Sequence, residues 1–207
     1  MPASPALSRP TMYLRSLLVI LLGAALVLCG ACRKTEPAPA PHFEHAYSFR
    51  TILGVEPAQA AQLVRPAAEL QGTAQQTGTT LALTIKAGES EELVLSIPRE
   101  QLAAGLSGTY ALRDPAYGAN GPVTVHYTYV ASAGGNRQPH TYTNGLSAAN
   151  PSSGSVVITQ YDARHGLLSG TYHVDFAFVP SPLSLTPTAA TTWQLALDGR
   201  FENVKLL

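Results

Sequence analysis

Apolar and polar residues alternate with period two through much of this 207-residue chain. Leu81, Leu83 and Ile85 share one phase, with Thr84 and Lys86 in the other. Leu93, Leu95 and Ile97 repeat the pattern, and Pro98 ends it. Val123, Val125, Tyr127 and Tyr129 alternate with Thr124, His126 and Thr128. Tyr172, Val174, Phe176 and Phe178 alternate with Thr171, His173, Asp175 and Ala177, and Trp193, Leu195 and Leu197 with Gln194, Ala196 and Asp198. Successive side chains of a strand point to opposite faces, so each run predicts a strand with one buried face. Tyr127, Tyr129, Tyr172, Phe176, Phe178 and Trp193 are therefore expected in the core.

The punctuation between these runs predicts turns. Gly88 separates the first two. Asp198-Gly199 has hairpin chemistry, because both residues of such a turn must tolerate positive φ; this would pair 191–197 with 200–206. Pro57 to Leu70 is compatible with one short helix, which Pro66 interrupts. Ser132 to Ser155 is rich in Gly, Asn, Ser and Pro and reads as a long loop, with a short strand near Thr141-Tyr142-Thr143. The whole pattern predicts an all-β domain, an antiparallel β-sandwich or flattened barrel.

One internal echo is present. Leu106-Ser107-Gly108-Thr109-Tyr110 recurs as Leu168-Ser169-Gly170-Thr171-Tyr172, and an acidic residue precedes each copy, Glu100 or Asp162. The segment reads as a Gly-initiated strand whose Tyr opens the core face, used twice. It suggests two similar halves of a sandwich.

The first third of the chain has a different pattern. Leu17 to Cys29 is a continuous apolar run, about as long as a signal-peptide core and shorter than a membrane span. Arg15 precedes it and Gly30-Ala31-Cys32 closes it, so Cys32 reads as the acceptor of a bacterial lipoprotein signal. The position three before the cysteine is Cys29 rather than the usual Leu. Cys29 is the rival acceptor, with bulky Leu28 before it, and plain secretion with cleavage near Ala31 is the other alternative. Met12-Tyr13-Leu14-Arg15 resembles an ordinary start, so Met12 is an alternative initiator. Thr35 to Pro41 is a Pro/Ala tether of the kind that holds a domain away from a surface by about 3 Å per residue. The expected organisation is a signal peptide over 1–31, lipidated Cys32 and tether over 32–44, and one β-sandwich domain over 45–207.

Composition narrows the function. The whole chain carries 13 Lys+Arg and 13 Asp+Glu. Arg9 and Arg15 precede Cys32 and no acid does, so 11 basic and 13 acidic residues follow it, a formal charge of −2. There is no basic stripe, which argues against a nucleic-acid partner. Both cysteines lie in the leader, so the domain is expected to form no disulfide. More than one acyl chain is what stable anchoring requires, and an acylated diacylglyceryl cysteine supplies it.

Catalytic chemistry is not written in the sequence. His42 and His45 sit beside the tether. His173 and Asp175 share a strand face but are half a metal site, since three or four ligands are needed. Ser107 and Ser169 lack the setting of a nucleophile elbow and read as turn residues. Asp114 to Gly121 has the composition of a calcium loop without its alternating ligands or closing Glu. No metal or cofactor is expected. Tyr117 and Tyr142, placed in loops, are the candidates for ligand contact, because an exposed ring can stack on a sugar.

The segments Gly154-Ser155-Val156-Val157-Ile158-Thr159-Gln160-Tyr161-Asp162, Leu168-Ser169-Gly170-Thr171-Tyr172 and Leu197-Asp198-Gly199-Arg200-Phe201 resemble small Bacteroidota lipoproteins of unknown function. The likeness covers 79–207 loosely and 154–203 best. It implies an all-β domain behind a lipid anchor and brings no catalytic residues. The resulting expectation is a lipoprotein anchored in the outer membrane, on its periplasmic or surface leaflet, with a non-enzymatic binding or structural domain. Its expected partners are the membrane, through the N-terminal lipid, and a polysaccharide or envelope protein. The alternative is a carbohydrate-processing accessory or envelope hydrolase, which would need two carboxylates at a defined separation.

Overall fold

The computed structural model describes residues 37–52, 60–114, 119–144, 151–181 and 193–207. Cys29, Cys32 and Tyr117 lie outside them. Thirteen strands are formed among the described residues: β1 (His42–Thr51), β2 (Ala60–Arg65), β3 (Leu70–Gln76), β4 (Thr80–Ala87), β5 (Glu91–Pro98), β6 (Gly108–Ala111), β7 (Arg113–Asp114), β8 (Ala119–Asn120), β9 (Thr124–Ala133), β10 (Asn136–Thr143), β11 (Ser152–Asp162), β12 (Leu167–Val179) and β13 (Trp193–Lys205). Short 3₁₀ turns span Ala67–Glu69 and Arg99–Gln101.

The strands form two antiparallel sheets packed as a sandwich. One has the order β2-β1-β13-β12-β11-β6 and the other β10-β9-β5-β4-β3; β7 and β8 make a separate two-stranded ribbon. Alternation explains the packing. Leu81, Leu83, Ile85, Leu93, Leu95 and Ile97 are all buried from the second sheet, and Val156, Ile158, Val174, Leu195 and Leu197 meet them from the first. Burying each such side chain contributes roughly 1.5–3 kcal/mol.

Four sequence expectations are overturned. Asp198-Gly199 is no turn: β13 runs unbroken through it, pairing with β1 on one side and β12 on the other. Gly199 lies in the buried phase of that strand, and its lack of a side chain serves packing, as shown below. The expected helix over 57–70 is instead the edge strand β2 followed by a 3₁₀ turn, because pairing with β1 outweighs the weak helical preference of its alanines. The expected long loop over 132–155 contains most of a hairpin. β9 turns into β10 at Gly134-Gly135, both at positive φ, as a tight two-residue hairpin requires. Phe178 is 37% exposed rather than in the core: a bulge between Phe176 and Val179 shifts the phase, and Val179 is buried in its place. Strand β1 also begins at His42, inside the segment that composition assigns to the tether.

The repeated pentapeptide has a clear structural meaning. Its two copies flank one strand, β11, in identical register. Val156 pairs with Tyr110 on one side and Tyr172 on the other, Val157 with Thr109 and Thr171, and Ile158 with Gly108 and Gly170. The copies therefore lie in one sheet rather than in two halves of the sandwich. Both tyrosines are buried, but their hydroxyls differ. Tyr110 donates to the Leu106 carbonyl at 2.7 Å and accepts from the Ala103 N–H, closing a local corner. Tyr172 reaches into the core.

Candidate functional site

The core contains one concentrated polar constellation. His45 lies in the buried phase of β1 with Phe43, Tyr47 and Phe49, and Glu91 opens the buried phase of β5 ahead of Leu93, Leu95 and Ile97. His45 is 2% and Glu91 4% exposed. His45 Nε2 bonds Glu91 Oε1 at 2.6 Å, and Nδ1 bonds the Tyr172 hydroxyl at 2.5 Å. Tyr127, on β9, donates to the same Glu91 oxygen at 2.5 Å. Arg65, at the end of β2, donates from Nε to Oε2 at 2.7 Å, and its guanidinium lies over the Tyr47 ring. Two sheets thus meet at one carboxylate.

Backbone register makes this arrangement available. His45 pairs with Gly199, and Gly199 pairs in turn with Tyr172. The three positions form one row across β1, β13 and β12. Because the middle member has no side chain, the imidazole and the phenol meet over it. A Cβ on Gly199 would collide with the Tyr172 ring and hydroxyl.

The proton positions follow from the partners. The Tyr172 hydroxyl has His45 Nδ1 as its acceptor, so Tyr172 donates and His45 carries its proton on Nε2, facing Glu91. Burial is the largest influence on Glu91 and opposes its ionisation. The bonds from His45, Tyr127 and Arg65 together outweigh it and hold the carboxyl below its usual range. The Tyr127 and Tyr172 phenols are pushed far up, first by burial and then by the nearby Glu91 charge, so both remain donors. Burial also works against the Arg65 charge, yet its bond to Glu91 raises it overall. Every hydrogen-bonding valence that Glu91 turns toward a neighbour is used inside the fold.

A second cluster lies on the outer face of the first sheet. His173 Nδ1 bonds Asp198 at 2.6 Å and Nε2 bonds Asp175 at 2.9 Å. Desolvation disfavours the imidazolium, but the two carboxylates outweigh it and raise His173 above its usual value. The cluster edges an open basin of about 520 Å³ floored by Ala46, Ser155, Val157 and Thr171. The shared strand face of His173 and Asp175 read from sequence is therefore present, with Asp198 as a third member. Among the described residues no group of three or more His, Cys, Asp or Glu is placed to hold a metal ion.

The sequence candidates fare differently. Tyr142 does not stand in a polar loop. It sits in β10, opposite Tyr127, and is 4% exposed. Its ring stacks near Tyr127 and packs against Phe176, and its buried hydroxyl has no hydrogen-bond partner. The alternation of His140 and Tyr142 with Thr141 and Thr143 places it inside. Tyr117 and Cys32 fall outside the described residues. The His45–Glu91 constellation was missed from sequence, although its signal was there: a His and a Glu each occupy the apolar phase of an otherwise apolar alternating run.

Compared with known proteins, the chain matches no family model and no curated protein.

Proposed function

We propose that this chain is a lipid-anchored cell-envelope lipoprotein whose β-sandwich is a non-enzymatic binding or structural module. The N-terminal apolar run, Gly30-Ala31-Cys32 and the Pro/Ala tether support the anchor. The observation that carries the reading of the domain is the saturation of Glu91. A catalytic carboxylate must offer a lone pair to a substrate or water. Glu91 instead spends its oxygens on His45, Tyr127 and Arg65 in the interior, where they tie the two sheets together. On the outer face, Asp175 and Asp198 both bond His173, which holds them as partners of one imidazole rather than as an acid and base across a cleft.

The anchor is tested by growth with labelled fatty acid. Label should enter the wild type and Cys29→Ala and be lost from Cys32→Ala. Label lost from Cys29→Ala alone would move the acceptor, and label in none of the three would make this a secreted domain.

A further inference from the structure

Strand β6 ends the first sheet, and the chain's own repeat specifies what its open edge accepts. The Leu112 N–H points to Gly154 on β11. Backbone groups of a strand alternate in direction, so Tyr110 and Gly108 face β11 as well, whereas Thr109 and Ala111 face outward. The Ala111 carbonyl is taken by the Val123 N–H. The Thr109 N–H and C=O and the Ala111 N–H have no partner among the described residues. They floor an open cleft of about 580 Å³, lined by Gln101, Ala103, Thr109, Gly121 and Pro122. No charged side chain belongs to its described lining.

The second copy of the repeat shows this edge occupied. Strand β12 carries the same Gly-Thr-Tyr segment, in the same direction and with its Tyr on the same face. On β12 the edge of Thr171 that corresponds to the open edge of Thr109 is paired with β11, where Val157 stands opposite it and Ile158 opposite Gly170. The occupied copy is thus a template for the vacant one. We infer that the β6 edge is a peptide-binding site that takes an extended, uncharged segment as an added antiparallel strand. Its residue opposite Thr109 exchanges two backbone hydrogen bonds, and a β-branched side chain lies beside Gly108. Strand addition of this kind draws affinity from main-chain bonds and selectivity from alternate side chains. The gap is short and bounded by 101–103 and 121–122, which limits the bonded segment to a few residues. This rests on the reading of the domain as a binding module and names its partner. It fails separately from the anchor, which the lipid label tests alone.

The test uses the full chain in detergent and a fluorescent peptide of its own sequence 154–160, Gly-Ser-Val-Val-Ile-Thr-Gln. N-methylation at the position of Val157 removes the amide that would face Thr109; at the position of Val156 it alters an amide that faces away. Saturable binding is expected, weakened about tenfold or more by the first methyl group and by less than about threefold by the second. Thr109→Pro, which lacks the receiving N–H, should lose binding to the unmodified peptide while keeping its β-type far-UV spectrum. No saturable binding would overturn the inference, as would equal loss from both methylated peptides. Self-association of the chain that shuts the peptide out would assign the edge to a second copy and overturn it too.

Discussion

Tyr172 lays its hydroxyl in the space that a side chain on Gly199 would fill. The two residues are paired across β12 and β13, and the vacancy at 199 lets the phenol reach His45 on the next strand. Gly199→Ala must push the ring aside or break that bond. Overpacking of this kind typically costs about 1–3 kcal/mol, and the loss should appear as a lower urea midpoint with an unchanged slope. An unchanged midpoint would mean that the row His45, Gly199, Tyr172 is not close-packed.

Glu91 makes stability depend on acid. Its folded-state carboxyl is held below the usual range, so it contributes stability above the unfolded value, near pH 4–4.5, and loses it as pH falls through the folded value. Wild-type stability should therefore fall below about pH 5, and Glu91→Gln should flatten that part of the profile. At neutral pH Glu91→Gln should cost about 3–5 kcal/mol, since it leaves Arg65 beside a neutral amide and His45 without its carboxylate. Equal acid profiles in the two proteins would contradict this role.

Tyr142 separates ring from hydroxyl. The ring packs against Tyr127 and Phe176 in the interior, so Tyr142→Ala should cost about 3–5 kcal/mol. The hydroxyl is buried without a partner, a state that costs about 1–3 kcal/mol, so Tyr142→Phe should be neutral or stabilising. Thermal melts of the two variants check this, and a destabilised Tyr142→Phe would reveal a partner for the hydroxyl.

The repeated glycines should respond unequally although their register against β11 is the same. A Cβ at Gly170 would strike the Val157 carbonyl and the Phe201 ring, whereas at Gly108 it would meet the Tyr110 hydroxyl at 3.3 Å and Ala103 at 3.7 Å. Gly170→Ala should lower the melting midpoint by several degrees and Gly108→Ala by little. A larger loss at Gly108 would place the tighter packing on the wrong copy.

Much of this architecture was legible in sequence because half-buried strands advertise their faces. The phases of 81–85, 93–97, 123–129 and 193–197 translate directly into buried rows. What escaped reading depends on neighbours distant in sequence. Asp198-Gly199 has turn chemistry, and only the presence of His45 and Tyr172 on the flanking strands explains a glycine in mid-strand. The bulge at Phe178 is set by pairing with β13, to which local alternation is blind. The Gly134-Gly135 turn was lost in a stretch whose polar composition suggested a single loop. The polar core escaped for a simpler reason: His45 was weighed by its place beside the tether and not by its phase among Phe43, Tyr47 and Phe49.

The most direct measurement is the intact mass and N-terminal peptide map of the mature protein isolated from the membrane of a lipoprotein-processing bacterium. The expected result is a chain beginning at Cys32 that carries diacylglyceryl and acyl mass on that residue, released to the soluble fraction by Cys32→Ala. An unmodified N-terminus at or after residue 32, in a wild-type protein already soluble, would contradict the anchored reading.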